Sequence, residues 1–392
     1  MGSFLHRSWA EIDLDNLEHN YKIVRDMLSG GTDMMAVVKA DGYGHGSEVV
    51  SLYLQHFGVD WFGVSNLNEA EVLRKAGIKK PILVLGYTPP KLARIIRDLD
   101  VSQTVTDLEY AKALSKEASI SGKDIKIHIK VDTGMSRLGF RAVDPVEASI
   151  EIEEVCHMKN LITTGIFTHF ASADKDDEES RSFTENQHAQ FAAVVSGLFQ
   201  RGISFKCIHC CNSAGIINYP ESHHTMVRPG ILLYGLSPMT RQASDSLGLK
   251  PVMSLKSAIS QIKTIEKGSC IGYGCSYIAR QEMTIATVPL GYADGYPRIF
   301  GNKAKAWIAD RLVNIVGNIC MDQLMLDVTG LDVKRDDVVT FFGGRSPISL
   351  CNLAGMAGTI NYELSCNISR RIPRVYIKSG EVIKTIDYSV EI

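Results

Sequence analysis

Eight short β-rich apolar runs alternate with longer amphipathic stretches over the first 240 residues, and this constrains the fold more than any other feature. The runs cover 34–39, 61–65, 82–86, 102–105, 125–131, 162–168, 204–209 and 225–228. Between them, 67–76, 107–119 and 185–201 carry helical spacing. Strands that alternate with helices argue for parallel βα units, and eight is the number that closes a barrel. Periodicity cannot show closure, so a doubly wound open sheet also fits this pattern.

The texture changes near residue 240. A polar, linker-like stretch (241–250) leads into β-rich runs at 284–290, 305–309, 312–317, 324–328 and 337–342, with helical patterning mainly at 349–356. The expected organisation is α/β: a (β/α)8 TIM-type barrel over 1–241, then a mostly β domain over 242–392.

Composition narrows the function classes. A net charge of −2 gives no reason to expect nucleic acid or an anionic membrane as partner. No stretch approaches the roughly 20 apolar residues that span a bilayer. Met1 to Leu14 lacks the apolar core of a secretory signal, so a cytoplasmic location is expected. The nine cysteines are then expected to be reduced. Cys207, Cys210 and Cys211, with His209 among them, have a Cys-x-x-Cys spacing. No second Cys/His pair follows at finger-like spacing, so they are read as small buried side chains and no metal is expected.

The reactive residues fall where a βα barrel builds its active site, at the carboxyl ends of strands. Lys39 ends the first run and enters the glycine-rich turn Asp41-Gly42-Tyr43-Gly44-His45-Gly46. Lys130 and Asp132 close the fifth, His169 the sixth, His209 and Ser213 follow the seventh, and Arg228 with Gly230 ends the eighth. A lysine closing a buried strand either reaches water by its aliphatic stem or has a depressed pKa suited to Schiff-base chemistry. Asn212 to Gly215 reads as a helix start. With the backbone N–H groups of Gly230 and Ile231 and the Ser213 hydroxyl, it can hold a phosphate. A reactive lysine facing a phosphate cradle suits a phosphorylated aldehyde cofactor, or equally a sugar phosphate in a lysine-dependent aldolase.

The segment 36–46 (AVVKADGYGHG) resembles the pyridoxal-phosphate attachment signature of alanine racemases, and the resemblance runs through nearly the whole chain. It includes Trp9 to Asp13, 130–139 (KVDTGMSRLG), Thr168-His169-Phe170 and 226–230 (MVRPG). In the second half it includes 271–274 (IGYG), 291–295 (GYADG), 320–323 (CMDQ) and 358–363 (GTINYE).

The resemblance implies an alanine racemase using pyridoxal 5'-phosphate and working as a homodimer, which supplies D-alanine for peptidoglycan. Lys39 would hold the cofactor as an aldimine and act as one base, and Tyr273 of the partner subunit as the other. Tyr43, Ser213, Gly230, Ile231 and Tyr362 would bind phosphate. Arg228 would face the pyridine nitrogen, oriented by His209, with His169 beside the ring. Arg137 and the backbone of Met321 would hold the substrate carboxylate. Lys130 matches a lysine that some members carbamylate. Tyr292, Asp174 and Arg298 match an access corridor.

Two positions depart from the family pattern. Asn318 stands where an arginine is usual, and Cys211 where alanine is commoner. Alternatives to alanine racemisation are a racemase for serine or another small amino acid, a barrel-fold decarboxylase, and a non-catalytic cofactor-binding protein.

Overall fold

A computed structural model describes residues 7–122, 124–238 and 247–388. The strands are β1 (Ser8–Asp13), β2 (Asp33–Val37), β3 (Trp61–Val64), β4 (Ile82–Val84), β5 (Ser102–Val105), β6 (Ile125–Asp132), β7 (Phe140–Arg141), β8 (Leu161–Phe167), β9 (Cys207–His209) and β10 (Met226–Val227). Parallel pairing runs β10-β2-β3-β4-β5-β6-β8-β9, with the short β7 beside β6. At the seam, Thr225 N–H donates to Ile208 O at 3.2 Å and Arg228 N–H to Cys211 O at 3.0 Å, so the eight-stranded barrel is nearly closed. All eight expected strands are present.

Helices cover the barrel, and their starts are written locally. Asn66, Asp107, Asp144, Asp177 and Asn212 each accept a backbone N–H of the turn they cap. The expected helix 185–201 begins earlier, at Glu178, and runs to Gln200. Its first turns bury the polar Ser180, Thr184 and Gln187 rather than apolar side chains, so hydrophobic periodicity misses them. Ile125, Ile127, Ile129 and Val131 join the main core, while His128 and Lys130 alternate with them on the other face of β6. Met35, Trp61, Leu83, Phe167, Cys207 and Met226 form a separate buried cluster of barrel-strand side chains.

The second domain holds β11 (Met253–Ala258), β12 (Gln261–Ile265), β13 (Cys270–Ile271), β14 (Tyr277–Ile278), β15 (Met283–Val288), β16 (Lys305–Ile308), β17 (Arg311–Val316), β18 (Leu324–Asp327), β19 (Val338–Phe342), β20 (Arg374–Lys378) and β21 (Glu381–Ile386). Helices Leu350–Ala357 and Asn361–Cys366 complete it. Ten strands form one sheet, β12-β15-β18-β17-β16-β19-β11-β1-β20-β21, and β13 pairs with β14 in a separate ribbon.

Residues 8–13 lie within the segment 1–241, yet β1 pairs antiparallel with β11 and parallel with β20. The chain therefore starts in the second sheet before entering the barrel. The boundary at 241/242 lies outside the described residues, as does most of the linker-like stretch. Among the described residues no helix is long and apolar enough to cross a membrane.

Candidate active site

β2 stops at Val37, two residues before Lys39, so the lysine opens the following turn rather than ending the strand. That turn is left-handed: Ala40, Asp41, Gly42 and Tyr43 have φ of 52°, 54°, 62° and 54°. Left-handed backbone costs non-glycine residues roughly 1–2 kcal/mol each. Several bonds hold it. Ala40 N–H donates to Glu69 Oε1 at 2.7 Å, and Ser47 N–H to Asp41 Oδ1 at 2.9 Å.

The second domain clamps the same turn. Arg374, 1% exposed, donates to Gly44 O at 2.9 Å and also bonds the carbonyls of Ile368, Ser369 and Ile372. Tyr376 Oη donates to His45 O at 3.2 Å. Neither Glu69 nor Arg374 was singled out from sequence. Arg374 sits in the basic stretch 370–374 (RRIPR), where nothing local marks it apart from its two neighbouring arginines.

The turn opens onto a cavity of about 1270 Å³ at the carboxyl ends of the barrel strands. Lys39, Tyr43, Lys130, Arg137, His169, Asp174, Ser213, Arg228, Gly230, Ile231 and Tyr362 all line it. Burial first, then the Arg137 guanidinium, hold the Lys39 ammonium below its usual pKa. Burial and the charge of Arg228 lower Lys130 to about 7. Lys130 Nζ donates to Val131 O at 2.6 Å.

One corner of the cavity is built for an anion. Asn212 Oδ1 accepts Gly215 N–H at 2.9 Å, so the helix Ser213–Asn218 starts there with its first N–H groups unpaired within the helix. Gly230 N–H donates to Ser213 Oγ at 3.0 Å. A Cβ on Gly230 would sit 2.5 Å from Tyr43 Oη, so the missing side chain lets the backbone approach that phenol. Tyr43 and Tyr362 have ring centroids 6.0 Å apart. Hydroxyls, a helix start and a glycine approach fit a phosphate group.

The opposite corner is cationic. Arg228 is 4% exposed and donates to His209 Nδ1 at 2.8 Å, Thr168 O at 2.8 Å, Cys210 O at 3.0 Å and His169 Nδ1 at 3.2 Å. Burial lowers it to about 10, which leaves it charged at neutral pH. His209 lies behind Arg228, stacks on Phe167 at 4.8 Å and reaches His128. His128 was not singled out. Its signal was a polar residue recurring every second position in the run 125–131.

Tyr273, Met321, Tyr292 and Arg298 do not line this cavity. Tyr273 is 72% exposed, Met321 53% and Tyr292 42%. They cluster elsewhere on the second domain. Asn318 Nδ2 donates to Tyr273 O at 2.8 Å, and Tyr292 N–H and Ala293 N–H bond Cys320 O and Met321 O. Cys270 and Cys275 flank Tyr273 and are joined by a disulfide with Cα atoms 4.9 Å apart. This corrects the expectation that every cysteine is reduced: pairing of β13 with β14 folds the two thiols together. Cys207 and Cys210 do not form a Cys-x-x-Cys site, because Cys207 packs with the Met35/Trp61/Phe167 cluster and Cys210 with the main core.

Residues 12–238 match the alanine racemase N-terminal domain family, and residues 252–376 the alanine racemase C-terminal domain family. Alanine racemase of Clostridium tetani is 43% identical over 393 residues, covering 99% of this chain and all of that protein. The solved alanine racemase of Clostridium difficile superposes with a TM-score of 0.93 at 38% identity, covering 99% of this chain and 100% of the other. That of Bacillus anthracis, with bound L-Ala-P, gives 0.92 at 34% identity, covering 99% of each. With the barrel, the appended β domain and the lysine-bearing cavity in place, the chain belongs to the alanine racemase family.

Proposed function

We propose that this chain interconverts L- and D-alanine with pyridoxal 5'-phosphate held at the barrel mouth, as a homodimer whose second base comes from the partner subunit. One observation carries the reading: a lysine of depressed pKa, an anion-binding corner and a locked arginine converge on a single cavity. Lys39 would anchor the cofactor, with Tyr43, Ser213, Gly230, Ile231 and Tyr362 at its phosphate and Arg228 at its ring nitrogen. When bound, the cofactor supplies an electron sink that makes the α-proton of an amino acid removable.

The chain's own residues do the rest. Lys39 Nζ, its charge disfavoured by burial and Arg137, takes and returns the α-proton on one face. Inversion needs a second acid/base group on the opposite face. Tyr273 Oη fits that role only in another chain's cavity, since it is exposed and absent from its own. The exposed apolar side chains of the same domain (Met321, Tyr292, Ile299) suit a subunit contact. The Arg137 guanidinium at the mouth pairs with the substrate carboxylate, helped by the backbone N–H of Met321. Tyr273, Tyr362 and Met321 around the α-carbon leave room for about a methyl group, which favours alanine over larger side chains.

Burial and the charge of Arg228 lower the Lys130 amine to about 7, which favours its neutral form. Its free amine can add CO2, forming an N–C bond and releasing one proton. The resulting carbamate gives Arg137 and Arg228 an anionic neighbour in place of a repelling cation. Asp174, Tyr292 and Arg298 are assigned to the access corridor, where Asn318 leaves one positive charge fewer than the family pattern. The protein would work in the cytoplasm, and its product D-alanine would supply peptidoglycan.

The purified protein should absorb near about 420 nm, as an enzyme-bound Schiff base of this cofactor does. Lys39→Ala should abolish that band, and L- and D-alanine should converge on one mixture. Absence of the band after adding pyridoxal phosphate would remove the cofactor and the mechanism together.

A further inference from the structure

Outside the cavity, three side chains from distant parts of the chain turn their ligating atoms toward one point. His188 sits on the helix Glu178–Gln200, Cys210 directly follows β9, and His224 precedes β10. One ligand atom from each lies within 4.8 Å of the others. The Nε2 atoms of His188 and His224 are 3.0 Å apart. The Cys210 side chain is fully buried, His188 is partly buried and His224 is exposed, so the cluster opens to solvent on one side.

This arrangement has features that chance packing lacks. Two imidazoles aimed nitrogen to nitrogen can form one hydrogen bond only if one nitrogen carries hydrogen and the other does not. Aromatic edges fix both rings: Phe170 meets His188 at 84° and Phe191 meets His224 at 81°. His224 also has φ of +49°, a left-handed conformation that a non-glycine residue holds at some cost. In a tetrahedral zinc site with Zn–N near 2.0–2.1 Å, neighbouring nitrogens lie about 3.3 Å apart, and a nitrogen and a sulfur about 3.6 Å. The nitrogen pair at 3.0 Å is close to this value, and within the 4.8 Å spread of the three atoms the Cys210 thiol, which donates to Ser222 O at 3.0 Å, has to turn from that carbonyl to take the metal.

We propose that His188, Cys210 and His224 form a binding site for a divalent transition metal of zinc's class, with a fourth position open to water. Two nitrogens and one thiolate match the preference of Zn2+, and the absence of carboxylate among them disfavours Mg2+ and Ca2+. Binding replaces the Cys210 S–H by an S–Zn bond and releases one proton to solvent. Any Nε2 hydrogen moves to Nδ1 of the same ring, so no further proton is lost. The metal would tie the barrel's seam, because Cys210 follows β9 and His224 leads into β10. It would also reach the cofactor pocket through one bond, since Cys210 O accepts from Arg228 Nη2 at 3.0 Å.

The test uses tag-free holoenzyme stripped with a chelator and titrated with Co2+, then displaced with Zn2+. One equivalent per chain should develop tetrahedral ligand-field bands at wavelengths beyond the cofactor's absorption, and Zn2+ should bleach them. The exposed His224 permits His224→Gln without disturbing the core. Loss of a direct ligand should exceed the roughly 10–100-fold cost of removing an outer partner, so Zn2+ should bind this variant more than about a hundredfold more weakly. Cys210→Ser should behave likewise, and Cys207→Ser should bind as the parent does. Lack of a Co2+ spectrum in the parent overturns the site. So does an unchanged spectrum in His224→Gln, or a spectrum lost in Cys207→Ser and kept in His224→Gln.

Discussion

Arg228 Nη1 donates to His209 Nδ1 at 2.8 Å, and this one bond sets the protonation of a buried histidine chain. Arginine can only donate, so Nδ1 of His209 must be unprotonated. The hydrogen of neutral His209 is then on Nε2, which donates to His128 Nδ1 at 3.0 Å. The hydrogen of His128 is therefore on its own Nε2, a buried atom with no hydrogen-bond partner among the described residues. A second Arg228 nitrogen imposes the same tautomer on His169. Burial, with the charge of Arg228, holds all three rings well below the usual histidine pKa. The result is a rigid, fully charged guanidinium backed by neutral rings.

Arg228→Lys should therefore disable more than it appears to remove. A lysine keeps the charge but not the planar fork, and the carbonyls of Thr168 and Cys210 lose their donors. Charge-assisted bonds of this kind are each worth about 1.5–3 kcal/mol. A fall in kcat of roughly 10- to 100-fold is expected, with a pH-dependent change in the cofactor spectrum. Turnover within twofold of the parent and an unchanged spectrum would show that the fork only braces the barrel.

Stability should fall on acidification well before the carboxylates titrate. His45, fully buried, is depressed to about 4 and His128 to about 3, with His169 and His209 also well below normal. Below about pH 6.5 the unfolded chain protonates these rings while the fold keeps them neutral. Their contribution is complete above about 6.5 and is lost progressively toward the folded values, at up to about 1.4 kcal/mol per pH unit per ring. Urea midpoints measured at about pH 7, 5.5 and 4.5 should drop steadily. A flat series would mean that the rings titrate in the fold as they do in the unfolded chain.

Gly230→Ala tests the phosphate corner. Gly230 has a negative φ of −118°, and what a side chain there would meet is Tyr43. The new Cβ would meet Tyr43 Oη at 2.5 Å and Cζ at 3.1 Å. Tyr43 is 7% exposed and packs on Tyr234 at 5.0 Å, so it has little room to yield. Overpacking of this kind costs about 1–3 kcal/mol. Pyridoxal phosphate should then be held at least about tenfold more weakly, measured by equilibrium dialysis. Parent-like retention would place the phosphate elsewhere.

Mixing two inactive variants tests the shared site directly. Lys39→Ala and Tyr273→Phe should each lose about two to four orders of magnitude in turnover. Refolded together, they should regain about a quarter of parental activity. Half the dimers are then mixed, and each mixed dimer has one intact site of two. If Tyr273 served its own chain, no mixed dimer would contain an intact site and activity would not return.

Lys130 offers a chemical readout. Its pKa near 7 leaves enough free amine for CO2 to add at neutral pH. With 13C-bicarbonate the parent should show a carbamate carbon resonance that Lys130→Met lacks, and removing CO2 should raise the KM for alanine. If the two proteins give identical spectra, Arg137 must find its anionic partner in the substrate.

Much of this was legible in the sequence because it is encoded locally. Alternating apolar runs located all eight barrel strands, and helix caps such as Asn66 and Asp107 lie within a few residues of the groups they satisfy. Lys39, Ser213 and Gly230 could be placed at the rim because each follows a recognisable strand by one turn. What depended on distance was not legible. Arg374 bonds Gly44 across 330 residues, and His128 meets His209 across 81. No local periodicity records either contact. The convergence of His188, Cys210 and His224 likewise exists only after the barrel closes, and β1 joins the second sheet only because two distant strands leave a place for it. Residue types and short-range spacing determined which chemistry this chain can carry. The tertiary structure decided which groups meet, because long-range contacts depend on how the sheets close and on which buried polar atoms must find partners.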